Sequence, residues 1–526
     1  MPVPQFKGKT AIETYHHTVP HHALEFDEKM SVLGKGDKPS LDGNLIIEGD
    51  NLLALKALLP THAGKIKCIY IDPPYNTGDE GWIYNDNLSQ PQFKEWIGQT
   101  VGKEAEDACR HDKWCCMMYP RLMLLKELLH QDGVIFVSID DNEVTSLSML
   151  MEEIFGTSCF ISRMVWKARQ YPDARATTGV STDHEYILAY GKNPLNRLRG
   201  GERDESKYSN PDNDPRGDWM SRSILGLAPK DKRPNLHYTI YNPKNKQPFD
   251  PPSETGWRYE PPTMTKKIQE GRILFPKESD GRPREKVFLK ELKTKFPGLP
   301  SIISSIYTSD GTGEIREIFG SGVFPFPKPT ELIRLLIEQI AEEEDWVLDS
   351  FAGSGTTAHA VLKQNLKDEG QRRFVLIQQA YDTKADADRH FNICQRITGE
   401  RVKRVMNGYK FEGAKTVTLL EEKIGLSTLK NSQDLRDRIE KTKLRFKEKF
   451  DDIATKCEGG VVRVHGVSRI KGKCEGLGAS FSFVRLSDKP IFGEYRDITK
   501  QPPSYEEIAK YIYYTETSSV WDKEFL

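Results

Sequence analysis

The chain has 526 residues, enough for about two to four domains, and its charge is nearly balanced at −1. It holds no apolar run of about 18 residues, which argues against a membrane span, and Met1-Pro2-Val3-Pro4-Gln5-Phe6-Lys7 lacks the apolar core of a signal peptide. The eight cysteines form no Cys-x-x-Cys pair, so they read as reduced thiols of a cytoplasmic protein, not a zinc or disulfide framework.

Residues 1–40 are polar and without a clear period. His16, His17, His21 and His22 lack an accompanying Cys or carboxylate pattern, so a solvated arm is expected and no metal. Leu45–Asp50 is a short apolar strand, and Asn51–Leu59 follows it as a helix. Asp50 or Asn51 either caps that helix or makes a polar contact to a nucleoside. Ile66–Ile71 is β-branched and apolar, a buried strand that two prolines end abruptly at Asp72-Pro73-Pro74-Tyr75-Asn76. The corner holds a carboxylate, rigid carbonyls and an aromatic ring at the carboxyl edge of a sheet, where open α/β sheets bind ligands. A carboxylate and a backbone carbonyl can each accept one N–H of an amino group, and a tyrosine can stack on a planar base. A plain strand-ending turn is the alternative.

Gly78–Asp86 is a Gly-rich aromatic loop with the character of a lid. Tyr119–Leu129 reads as a helix, Gly133 as its stop, and Val134–Asp140 and His184–Tyr190 as further strands. The alternation predicts an α/β fold with a mainly parallel sheet. Residues 161–300 then hold 16 of the 31 prolines and 27 Lys and Arg against 18 Asp and Glu, with Trp219, Tyr238, Tyr241, Trp257 and Tyr259 interleaved. Such a basic, irregular stretch suits a nucleic-acid surface; a loop-rich accessory domain with a solvated basic face is the alternative.

Regular structure resumes at Lys328-Pro329-Thr330, which opens a helix through Glu338. Trp346–Thr357 is a strand, a turn containing Gly353 and Gly355, and a helix from about Ala358. Such a helix start favours an anionic group. Arg372–Gln378 is the next strand. The third glycine of a dinucleotide fingerprint and a Walker lysine are both missing, which counts against a nicotinamide cofactor or a P-loop nucleotide. From about residue 413 come charged helical segments such as Leu435–Lys441, then strand-like runs at Gly460–Val464 and Ala479–Val484.

Asp72-Pro73-Pro74-Tyr75 followed by Phe351-x-Gly353-x-Gly355 resembles the β group of amino-methylating DNA methyltransferases, and among them the modification subunits of type III restriction-modification systems. The similarity covers roughly residues 40–410 and extends faintly to Phe481-Ser482-Phe483. It implies a circularly permuted Rossmann-like, S-adenosylmethionine-dependent methyltransferase sheet with an inserted target-recognition domain and a smaller α+β C-terminal domain. The expected boundaries are an N-terminal arm at 1–40, the first core part at 41–192, recognition at 193–322, the second core part at 323–412 and the C-terminal domain at 413–526.

The same resemblance implies that Asp72, Pro73, Pro74 and Tyr75 act on the target base. Asp349, Phe351, Gly353, Ser354, Gly355 and Thr356 would surround the methionine part of S-adenosylmethionine with Lys328 nearby, and Asp50 and Asn51 would lie near its adenosine. Gln378-Gln379 stands where such enzymes often place an acid for the ribose, so the ribose contact stays open. The implied activity is methylation of adenine N6 in double-stranded DNA by a homodimer with a helicase-endonuclease partner. The alternatives are a solitary DNA methyltransferase, cytosine-N4 methylation, a protein or RNA target, and a non-catalytic DNA-recognition subunit.

Overall fold

The computed structural model describes residues 4–77 and 110–517, apart from 175, 177, 202, 277–280, 293–295, 424–431, 459–460 and 492–503. The expected lid at Gly78–Asp86 lies outside the described residues. The chain divides into two compact units, Met1–Leu198 with Pro300–Leu526, and Arg199–Leu299.

The first unit is built on a ten-stranded sheet, numbered in chain order β1 His22–Phe26, β2 Leu45–Glu48, β3 Ile66–Ile71, β4 Leu129–Ile139, β5 Phe160–Trp166, β6 Glu185–Gly191, β7 Ile302–Ile303, β8 Trp346–Asp349, β9 Arg373–Gln378 and β10 Ser482–Pro490. Their order is β1-β10-β2-β9-β8-β3-β4-β6-β5-β7. The run from β10 to β4 is parallel throughout, whereas β6 lies antiparallel to β4 and β5. Helices cover both faces of a parallel sheet, so its strands must be apolar on both sides. The central strands accordingly show no alternation of apolar and polar residues: Leu45, Ile46, Ile47, Ile69, Ile71, Leu348 and Val375 are all fully buried. The strand order differs from the chain order as the resemblance implied, with β2 next to β9.

The helix Asn51–His62 begins where expected, and Asp50 caps it by accepting from the Leu52 and Leu53 amides. Two helices run longer than their sequence signals, Arg110–Leu128 within the described residues and Thr356–Asp368, which starts ahead of Ala358. Among the described residues no helix is long and apolar enough to cross a membrane.

The N-terminal segment is not a solvated arm. His16, His21 and His22 are buried, β1 pairs antiparallel with β10, and His22 Nδ1 lies 2.7 Å from the Ser487 carbonyl. The Phe481–Val484 stretch likewise enters the main sheet, as β10 beside β2, and is not part of a separate C-terminal domain. The physical reason is shared: β10 extends the sheet and would leave an open edge, which β1 covers. Gly408–Lys423, Val461–Glu475 and Asp452–Glu458 form their own three-stranded antiparallel sheet.

The second unit, Arg199–Leu299, has a small core of Ile224, Ile240, Phe249, Trp257, Met264 and Ile273. Trp219–Ser223, Ile273–Leu274 and Arg284–Phe288 make a three-stranded antiparallel sheet in it. It is shorter than the expected 193–322. Residues 300–322 belong to the first unit, because β7 pairs with β5 and Trp166 donates from Nε1 to the Ile306 carbonyl at 2.7 Å.

Candidate active site

β3 and β8 are parallel neighbours, with Ile69 opposite Leu348, so the two chemistry-bearing turns leave the sheet side by side at its carboxyl edge. One is Asp72–Tyr75 and the other Ser350–Thr356.

The first turn is fixed from behind: Trp114, on the helix Arg110–Leu128, donates from Nε1 to the Pro74 carbonyl at 2.7 Å. Asn76 then takes a left-handed φ of 57°, which redirects the chain. The Lys328 ammonium reaches both Asp72 oxygens at 2.8 and 2.7 Å and the Tyr75 hydroxyl at 2.9 Å. That hydroxyl also lies 2.9 Å from Asp72 Oδ1 and 2.8 Å from Glu185 Oε2. A phenol carries one proton and so donates to one of the two carboxylates at a time. Burial alone would lower the Lys328 pKa, but Asp72 and Glu185 outweigh it and hold the ammonium above its ordinary value. Burial, then the same two carboxylates, pushes the Tyr75 phenol well up, which keeps it neutral. Among the described residues nothing donates to the Pro73 carbonyl.

In the second turn Asp349 is buried and accepts from the Phe351 amide at 3.0 Å and from the Thr357 hydroxyl. Burial raises its carboxyl pKa to about 7, although both hydrogen bonds oppose that shift. Gly353 has φ 50° and Gly355 has φ 77°, conformations that favour glycine. A Cβ on Gly353 would also stand 3.2 Å from Phe324 Cζ. The Gly353 amide donates to Gln378 Oε1 at 2.7 Å, and the Gly353 carbonyl accepts from Thr398 Oγ1 at 2.6 Å. Arg401, fully buried, donates to Ser354 Oγ at 2.9 Å and to Thr356 Oγ1 at 2.7 Å.

Lys328 belongs to both turns. Its side chain meets Asp72, while its carbonyl accepts from Thr356 Oγ1 at 3.2 Å. The resemblance implies a place near the methionine part of the cofactor; the Lys328 carbonyl lies beside Thr356 of the glycine turn, and its ammonium points to Asp72. Asp50 is committed to its helix cap and to Arg121 at 3.5 Å. Asn51 is buried with both ends of its amide engaged, by Ser350 O at 2.9 Å and Arg121 Nε at 2.6 Å. These two residues thus shape the sheet edge through contacts within the protein.

A cleft at that edge is lined by Asn51, Ser350, Ile377, Gln378 and Gln379. Ser350 Oγ is buried there without a hydrogen-bond partner among the described residues. An orphaned hydroxyl beside a turn that a side chain would obstruct fits a polar ligand such as S-adenosylmethionine. The Gln378 amide is also explained: one end holds Gly353, the other donates to Asp382 Oδ1 at 2.7 Å. Burial lifts the Asp382 carboxyl to about 6.

Sequence reasoning missed Glu185, Trp114, Thr398 and Arg401. Two carried a signal. Glu185 is an acid at the head of an apolar strand, and Arg401 falls at helical spacing among Ile397, Val402 and Val405, all buried. Trp114 and Thr398 had none.

The DNA methylase family model matches residues 66–387, more than half of the chain. The Mod subunit of the type III restriction-modification enzyme StyLTI of Salmonella typhimurium strain LT2 is 34% identical over 377 residues, 69% of this chain and 57% of that one. The EcoP15I Mod subunit of Escherichia coli is 31% identical over 434 residues, 72% of this chain and 65% of its own. The type II methyltransferase M.KpnI of Klebsiella pneumoniae is 34% identical over 348 residues, 63% of this chain and 79% of its own. The chain therefore spans less than two thirds of the length of the two type III subunits.

Proposed function

The chain belongs to the DNA methylase family, and on that premise we propose that it methylates adenine N6 in double-stranded DNA. S-adenosylmethionine is the cofactor, and when bound it supplies an electrophilic methyl group. Ser350 and the Phe351–Thr356 turn would hold it, with Asn51 and Gln378 shaping the cleft.

The observation that carries the adenine reading is the acid at the head of the corner: Asp72 lies at the carboxyl end of β3, beside the glycine turn that follows β8. The adenine amino nitrogen is a poor nucleophile because its lone pair is delocalised into the ring, and the base must leave the duplex to be reached. Asp72 and the Pro73 carbonyl accept the two N–H groups, which turns the lone pair away from the ring. Tyr75 stacks on the base. After transfer the nitrogen is cationic, and Asp72 takes the proton it sheds. Positioning and electrostatics supply the rate, without a covalent intermediate. Cytosine N4 presents the same amine geometry, but the related motif often begins with Ser, so Asp72 favours adenine.

The Mod-type relatives support a modification subunit of a restriction-modification system; a homodimer and a helicase-endonuclease partner are the further parts of this proposal. The similarity to M.KpnI supports a second reading, a methyltransferase acting alone. Expression in a methylation-free host, followed by long-read mapping of modified bases, tests the reading. N6-methyladenine at one recurring sequence is expected; modified cytosine or an unmodified genome overturns it.

A further inference from the structure

The Asp72 carboxylate is already taken. Lys328 donates to both its oxygens, at 2.8 and 2.7 Å, so a target amine that needs an acceptor finds an ammonium in its place. A second carboxylate lies within reach. Glu185 Oε2 is 3.4 Å from Lys328 Nζ, an ion pair longer than the two contacts to Asp72, and its side chain is one-fifth exposed. Tyr75 stands between the two acids, with its hydroxyl 2.9 Å from Asp72 and 2.8 Å from Glu185. The indole of Trp166, 6.0 Å from the ammonium, and the Tyr75 ring, 4.9 Å away, give it aromatic faces along the way.

We propose that Glu185 is a positioning residue that receives the Lys328 ammonium when a target amine takes over Asp72. The move is a fraction of an ångström for Nζ and breaks no backbone contact. It exchanges two hydrogen bonds to Asp72 for a direct bond to Glu185, while the Tyr75 hydroxyl stays within reach of both acids. Charge supplies the second reason. Asp72 and Glu185 with one lysine leave the corner at −1, and that surplus offsets the positive charge that develops on the nitrogen during methyl transfer. Without Glu185 the corner is neutral, and among the described residues Lys328 has no second carboxylate to pair with.

This inference rests on the amine-methylating reading of the corner, and its test separates the two. The crystal structure of Asp72→Asn needs no activity: loss of the charge at residue 72 should send Lys328 Nζ to within hydrogen-bond distance of Glu185. An ammonium that stays on residue 72, as far from Glu185 as before, overturns the proposal. Kinetics provide the second arm. Gln keeps the shape of Glu185 and its bond from Tyr75 but not its charge. Glu185→Gln should slow single-turnover methyl transfer by roughly tenfold to a hundredfold with S-adenosylmethionine affinity and melting temperature unchanged, and Glu185→Asp should recover part of the rate. A Gln variant as fast as the unaltered enzyme overturns it. An unaltered enzyme that leaves adenine unmodified counts against the function itself, and the Asp72→Asn structure then still decides the role of Glu185.

Discussion

Arg401 Nη1 donates to Thr356 Oγ1 at 2.7 Å, so a helix well beyond the glycine turn holds that turn in place. The same guanidinium pairs with Glu314 at 2.9 Å and is itself fully buried. Removing one partner of a buried pair leaves the other charge uncompensated. Arg401→Met should therefore cost about 3–5 kcal/mol of stability and weaken S-adenosylmethionine binding. Denaturant unfolding and calorimetry on the variant measure both; an unchanged midpoint would make the contact incidental.

Asp349 gives a pH signature. Its folded pKa, raised to about 7 by burial, lies above its unfolded value of about 3.9. The folded state therefore binds more protons between those values, and stability falls as pH rises through that window and levels off above it. Asn can accept from the Phe351 amide without carrying a charge. Asp349→Asn should show a smaller drop in melting temperature from pH 5 to pH 8 than the unaltered chain. Equal drops in the two proteins would contradict the assignment.

Gly353 combines a φ of 50° with Phe324 Cζ 3.2 Å from where a Cβ would sit. A branched side chain there is strained by its backbone and crowds the turn. Gly353→Val should abolish binding of S-adenosylmethionine in a calorimeter while the melting curve stays cooperative. Retained affinity would reduce the turn to a structural corner.

Local pattern carried much of this site into view. The apolar run Ile66–Ile71 ended by two prolines, and Trp346–Asp349 before two glycines, are signals within a dozen residues, and both strands lie where they were read. What was hidden depends on contacts far apart in sequence. No local feature says that the histidines near residue 20 cover the edge of a strand near residue 485, or that Lys328 spans to Asp72. The Gln378 side chain looked like a departure in a ribose site; only the fold reveals that it holds the Gly353 amide.

The unit Arg199–Leu299 lies within the basic stretch of the sequence. On the proposed function the Asp72 corner would handle a single base, so a longer sequence would be read elsewhere. Phosphate contacts give salt-dependent affinity, and a few polar side chains in the grooves give specificity. Exchanging residues 199–299 for the matching unit of a relative should change the methylated sequence and keep the modified base. An active chimera that retains the original sequence would place recognition outside this unit.

In the proposed function Asp72 accepts the amino group of a flipped adenine. The most direct measurement incubates the purified chain and its Asp72→Ala variant with duplex DNA and S-adenosylmethionine labelled in the methyl group, then digests the DNA to nucleosides. Label is expected in N6-methyl-2′-deoxyadenosine for the unaltered chain, and none for the variant even though it binds the cofactor normally. Label in N4-methyl-2′-deoxycytidine, or a variant that labels adenine at the unaltered rate, would contradict a role for Asp72 on the adenine amine.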